Sequence, residues 1–142
     1  MVLALALMVG GWVLYEDTMA PGLLFGDSGE LQFALPIGGL IHPTGYPLYG
    51  LLAWLWTQAT LWWPEPATRV NAFSVLWGGM ALGVFFLVTQ HLLVRVLPKQ
   101  SDVSRQLCGM MAALLLAVLT TWWSTATNSE GSTFNDRPIL PL

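Results

Sequence analysis

Between Arg69 and Arg95 the chain carries no Asp, Glu, Lys or Arg, and most of its residues there are apolar. The run Val70 to Val96 exceeds the roughly 20 residues that a helix needs to cross the hydrocarbon of a bilayer. A helix apolar on every side belongs in a large core or in lipid. A chain of 142 residues, 55% hydrophobic and 9% charged, builds no such core behind a hydrated surface. Soluble domains carry about 25% charged residues for that purpose. The mean hydropathy of +0.62 points the same way, and eight tryptophans suit helix ends that meet lipid headgroups. The sequence therefore predicts an all-α membrane protein.

Three spans are expected, at about residues 1–15, 70–96 and 107–123, within one unit over 1–130 followed by an irregular tail over 131–142. Met1 to Tyr15 would reach about 22 Å, short of a roughly 30 Å hydrocarbon core. It reads as a membrane helix whose beginning has been lost. No Lys or Arg precedes the apolar run and no small-x-small cleavage site follows it, so a signal peptide fits less well. From Glu16 to Arg69 glycine and proline recur, which divides the loop into short helical pieces. Within that loop, residues 46–63 hold Trp54, Trp56, Trp62 and Trp63 beside Gln58 and two threonines, the composition of an interfacial helix. Arg95, Lys99 and Arg105 cluster around one short loop, which the positive-inside rule places in the cytoplasm. Residues 46–63 are also apolar enough to span, which would put the segment around Asp27 in the cytoplasm; on the favoured interfacial reading residues 16–69 face outward. Gly79-Met80-Ala81-Leu82-Gly83 fits the small-residue pattern of closely packed membrane helices.

Several functions are excluded early. A net charge of −3 without a basic run offers nothing to nucleic acid. Cys108 stands alone, so the chain has no internal disulfide and no zinc cluster.

Chemistry concentrates in the outer loop. Asp27 and Glu30 lie within Gly26-Asp27-Ser28-Gly29-Glu30, flanked by Leu23, Leu24, Phe25, Leu31 and Phe33, and His42-Pro43-Thr44-Gly45-Tyr46-Pro47-Leu48 follows. Apolar surroundings make a carboxylate take up a proton more readily, which is what a general base requires. The spacing also fits a capping box, with Asp27 as N-cap and Glu30 at the third helical position, and by spacing alone this role ranks first. Arg69 reads most simply as an anchor that snorkels to the headgroups.

These blocks carry a resemblance. Phe25-Gly26-Asp27-Ser28-Gly29-Glu30-Leu31, then His42 to Leu48, then Arg69-Val70-Asn71-Ala72-Phe73-Ser74 resemble the N-terminal part of the transmembrane protein O-mannosyltransferase family, over roughly Met1 to Glu130. Each block alone is weak; the three in order are specific. The resemblance implies the N-terminal fragment of a GT-C glycosyltransferase, with interfacial helices in its first outer loop. Such an enzyme transfers a sugar, mannose by the family's name, from a polyprenyl-phosphate donor to a protein hydroxyl on the outer membrane face. It implies Asp27 and Glu30 as catalytic carboxylates and His42, Tyr46 and Arg69 as substrate-binding residues, with no metal ligand assigned and metal dependence left open. The expected location is a bacterial inner membrane, with lipid as the surrounding partner. After Glu130 the family's next apolar helix is no longer recognisable, which fits a truncated or frameshifted chain inactive alone. The rival reading is a small non-enzymatic helical subunit of a transporter or assembly.

Overall fold

The computed structural model describes residues 1–41 and 47–127. Among them are six α-helices, one short 3-10 helix and no strand: α1 (Val2–Glu16), α2 (Asp27–Ala34), the 3-10 turn Leu35–Ile37, α3 (Pro47–Ala59), α4 (Pro66–Val96), α5 (Asp102–Val118) and α6 (Thr120–Thr127). α4 is the spine. Three buried clusters form the core, and each includes α4 residues. Val70 and Phe73 join Leu31, Leu35 and Ala53; Val75 and Leu82 join Tyr15, Ala117 and Ala126; Phe86 joins Ala4 and Ala113.

α4 begins at Pro66, four residues before the apolar run. Proline suits a first helical turn, where its missing N–H would lack a partner anyway, and Glu65 precedes it in extended backbone. The helix then continues for 31 residues and, among the described residues, is the one helix long and apolar enough by itself to cross a membrane; α5 and α6 reach that length and apolarity only when taken together. α1 has 15 residues, one face of which lies directly against α4. The approach is close because glycines line it. A Cβ on Gly79 would stand 2.8 Å from the Met8 carbonyl oxygen, and one on Gly83 2.8 Å from that of Ala4. The small-residue pattern thus brings two backbones together, as dispersion-driven helix pairing requires.

The single helix expected over residues 107–123 is two helices. Leu119 leaves the helical region at φ −65° and ψ 126°, and α5 and α6 meet at a bend of 66°. A helix that ends strands its last carbonyls. Tyr15 supplies one partner: its hydroxyl donates to the Ala117 carbonyl at 2.9 Å, and its ring meets Trp123 edge-on at 5.6 Å. At the other end of α4, Arg105 pairs with Asp102 and donates to the Leu97 carbonyl at 3.1 Å, while Ser101 caps α5 by accepting from the Ser104 amide.

The helix expected over 46–63 runs from Pro47 to Ala59 among the described residues, and Trp62 and Trp63 follow it in a turn. Ala53 packs into the first cluster, Tyr49 meets Phe73 edge-on at 5.4 Å, and Leu48, Leu51 and Leu55 face outward. Outward faces elsewhere are equally apolar: Leu5 and Val9 on α1, Val84 and Val88 on α4, and Leu114 and Leu115 on α5 are exposed. The tail over 131–142 lies outside the described residues.

Candidate functional site

α2 begins where Gly26 turns the chain. Its φ of 70° and ψ of −147° lie in a region open to glycine and costly for residues with a Cβ. Its carbonyl accepts the first helical bond, from the Glu30 amide at 3.2 Å. Gly26 is therefore the N-cap and Asp27 the first helical residue, and no side chain caps the helix. The expected capping box with Asp27 as N-cap is not formed, because Asp27 is already helical and Gly26, which has no side chain to cap with, takes the N-cap position. Both carboxylates still stand in the first turn, where aligned peptide dipoles favour negative charge.

The periodicity of α2 separates two faces. Ser28, Leu31, Gln32 and then Leu35 are buried, whereas Asp27, Glu30 and Phe33 are exposed. The Asp27 side chain makes no hydrogen bond or ion pair with the described residues. Close in sequence to the two carboxylates, Phe25, Phe33 and Ile37 are 88%, 71% and 68% exposed. Exposed acidic groups and exposed large apolar side chains thus share this short stretch of chain.

What holds this helix is a buried amide network that sequence reasoning missed. Gln32 Nε2 donates to Asn71 Oδ1 at 2.9 Å and to the Gly22 carbonyl at 3.3 Å, while Gln32 Oε1 accepts from the Leu24 amide at 2.7 Å. Asn71 Nδ2 donates to the Ala20 carbonyl at 2.8 Å, and Thr68 Oγ1 to that of Pro21 at 2.9 Å. The segment from Ala20 to Leu24 is thereby tied to both α2 and α4. One signal was present: Asn71 is a lone amide where α4 turns apolar, and an amide buried there needs partners.

Arg69 is half-buried in the first turn of α4. Its Nε donates to the Trp63 carbonyl at 2.6 Å and its Nη2 to that of Pro64 at 3.3 Å. Its own carbonyl accepts from Trp56 Nε1 at 2.9 Å. Arg69 ties the α3–α4 connection, a more specific task than a headgroup anchor. His42 and Tyr46 lie outside the described residues. An apolar cavity of about 450 Å³ opens between α3, α4 and α6, lined by Tyr49, Phe73, Trp77 and Trp122; neither carboxylate reaches it. Among the described residues no group of three or more His, Cys, Asp or Glu could hold a metal.

Residues 27–135 match the protein O-mannosyl-transferase TMEM260 N-terminal domain, starting at Asp27 itself. The chain belongs to this family. Two proteins named protein O-mannosyl-transferase TMEM260 are similar to this TMEM260-family chain. The Dictyostelium discoideum protein is 25% identical over 140 residues, which is 96% of this chain and 16% of that protein. The Mus musculus protein is 42% identical over 73 residues, 51% of this chain and 10% of that protein. The chain therefore spans a small part of the length of the relatives it matches. No solved structure matches it significantly.

Proposed function

We propose that this chain is the carboxylate-bearing N-terminal part of a membrane glycosyltransferase. Its reaction moves a sugar, mannose by the family's name, from a lipid-phosphate donor to a protein hydroxyl at the outer face. The observation that carries the reading is Asp27: exposed, its side chain without a partner among the described residues, at the start of a clamped helix that also bears exposed Phe33, with exposed Phe25 two residues before it. Exposed apolar side chains beside acidic ones fit a surface resting in lipid headgroups, where a lipid-linked donor and an aqueous acceptor meet.

α4 crosses the membrane in this reading, α1 crosses beside it, and α5 with α6 forms a bent third span. The apolar outer faces of these helices support that arrangement. Residues 16–69 lie on the outer side, with α3 along the interface, and the basic loop around Lys99 lies inside.

A protein hydroxyl is a weak nucleophile at neutral pH. Asp27 accepts its proton as the oxygen attacks the anomeric carbon, and the bond from that carbon to the lipid-phosphate oxygen breaks on the opposite side. Configuration at the anomeric carbon inverts. Negative charge grows on the departing phosphate, so a cation nearby lowers the barrier; Arg69 and His42 are the candidates for that role in this segment. Glu30, three residues from Asp27, orients the acceptor or modulates Asp27 through its charge. Asp27→Asn in a full-length family member, assayed with lipid-linked mannose, should abolish transfer at unchanged expression. Full activity in that variant removes the assignment.

A further inference from the structure

We infer that the buried amide pair Gln32–Asn71 is the positioning device of the site, holding α2 and its carboxylates at one fixed place on α4. The inference rests on the proposed function for its catalytic consequence, not for its structural content.

α2 has eight residues, too few to persist as a helix without tertiary support. Leu31 and Leu35 pack in the cluster with Val70 and Phe73. Apolar contact is non-directional, however, and on its own lets a short helix slide or roll. The amides are directional. Gln32 is 1% exposed and Asn71 0%, and both are committed to the network described above. A fully satisfied buried network selects one arrangement among those that apolar packing allows.

The segment that these amides grip leads straight into the site. Ala20, Gly22 and Leu24 are held by side chains of Asn71 and Gln32, and Phe25-Gly26-Asp27 follows at once. The first turn of α2 also leans on the same segment. A Cβ on Gly29 would stand 2.3 Å from the Leu24 carbonyl oxygen. Asp27 is thus bracketed on both sides by a segment that the amide pair fixes. Gln32 and Asn71 touch no reacting atom in this account; they act through α2.

The test measures position and turnover separately. With Cys108 replaced by serine, spin labels at Phe33→Cys on α2 and Met80→Cys on α4 report their distance by pulsed EPR in lipid nanodiscs. The parent chain should give a narrow distribution. Gln32→Met and Asn71→Leu, which keep bulk and remove the bonds, should broaden it. Leu82→Ala, a core truncation at the α1–α4 seam, should lower the melting temperature and leave the distribution narrow. Should Asn71→Leu fail to accumulate, Asn71→Asp keeps Oδ1 for Gln32 and gives up the bond to Ala20. In a full-length family member, the matching amide variants should lower kcat on the order of tenfold to a hundredfold at unchanged donor KM. A narrow distribution in the amide variants, or unchanged kcat despite broadening, overturns the inference. Retained transfer in Asp27→Asn instead overturns the proposed function, and the distance measurement still decides whether the amide pair fixes α2.

Discussion

The hydroxyl of Tyr15 donates to the carbonyl of Ala117 across 102 positions of sequence, joining the end of α1 to the end of α5. That carbonyl has lost its helical partner because the chain departs from the helix at Leu119. One side chain therefore satisfies a backbone group exposed by the α5–α6 bend. Tyr15→Phe keeps the ring against Trp123 and removes the bond. Unfolding in mixed micelles should show a loss of about 1 kcal/mol, with Tyr15→Ala costing about 3–5 kcal/mol because a cavity is added.

Glycine at the α1–α4 seam should be intolerant of growth, and glycine elsewhere on α1 should not. Gly83→Val places atoms against the Ala4 carbonyl and the Met8 side chain, and overpacking of this kind costs about 1–3 kcal/mol or more. Gly10 has nothing within 4 Å of a new Cβ. Gly10→Ala should be neutral or stabilise by up to about 1 kcal/mol, since alanine is the better helix former. Thermal melting of the two variants side by side checks the contrast.

Gly26→Ala tests the turn into α2. The backbone at φ 70° and ψ −147° should cost alanine about 1–3 kcal/mol. Because the strain falls next to Asp27, transfer by a full-length relative should drop more sharply than its melting temperature.

Arg69→Met separates two roles of one residue. If the guanidinium chiefly ties the α3–α4 connection, melting falls by about 1 kcal/mol and donor KM stays constant. If its remaining N–H groups hold the donor phosphate, donor KM rises. Measuring both on one preparation assigns the residue.

Much of this architecture is legible in the sequence because apolar length is a coarse and strong signal. The run after Arg69 announces α4, and the Gly-Pro punctuation before it announces short helices. Boundaries were less legible for specific reasons. Pro64-Glu65-Pro66 reads as a break, yet Pro66 is the first residue of α4. Leu119-Thr120 carries no glycine or proline, so nothing local marks the bend. Asp27 and Glu30 were visible as a unit, but the N-cap belongs to Gly26, since backbone conformation and not side-chain chemistry decides that turn. The amide network stayed hidden because its links to α4 span 39 to 51 positions. Nothing in either neighbourhood reveals the other.

A spine that contributes to every cluster also dictates an order of assembly. On the ribosome α1, α2 and α3 emerge first, and each has buried partners on a helix not yet made. Sixty-odd residues must therefore wait, and the arrival of α4 converts a string of separate short helices into a single cooperative unit. A lesion that delays α4 would leave the acidic loop synthesised yet without a platform.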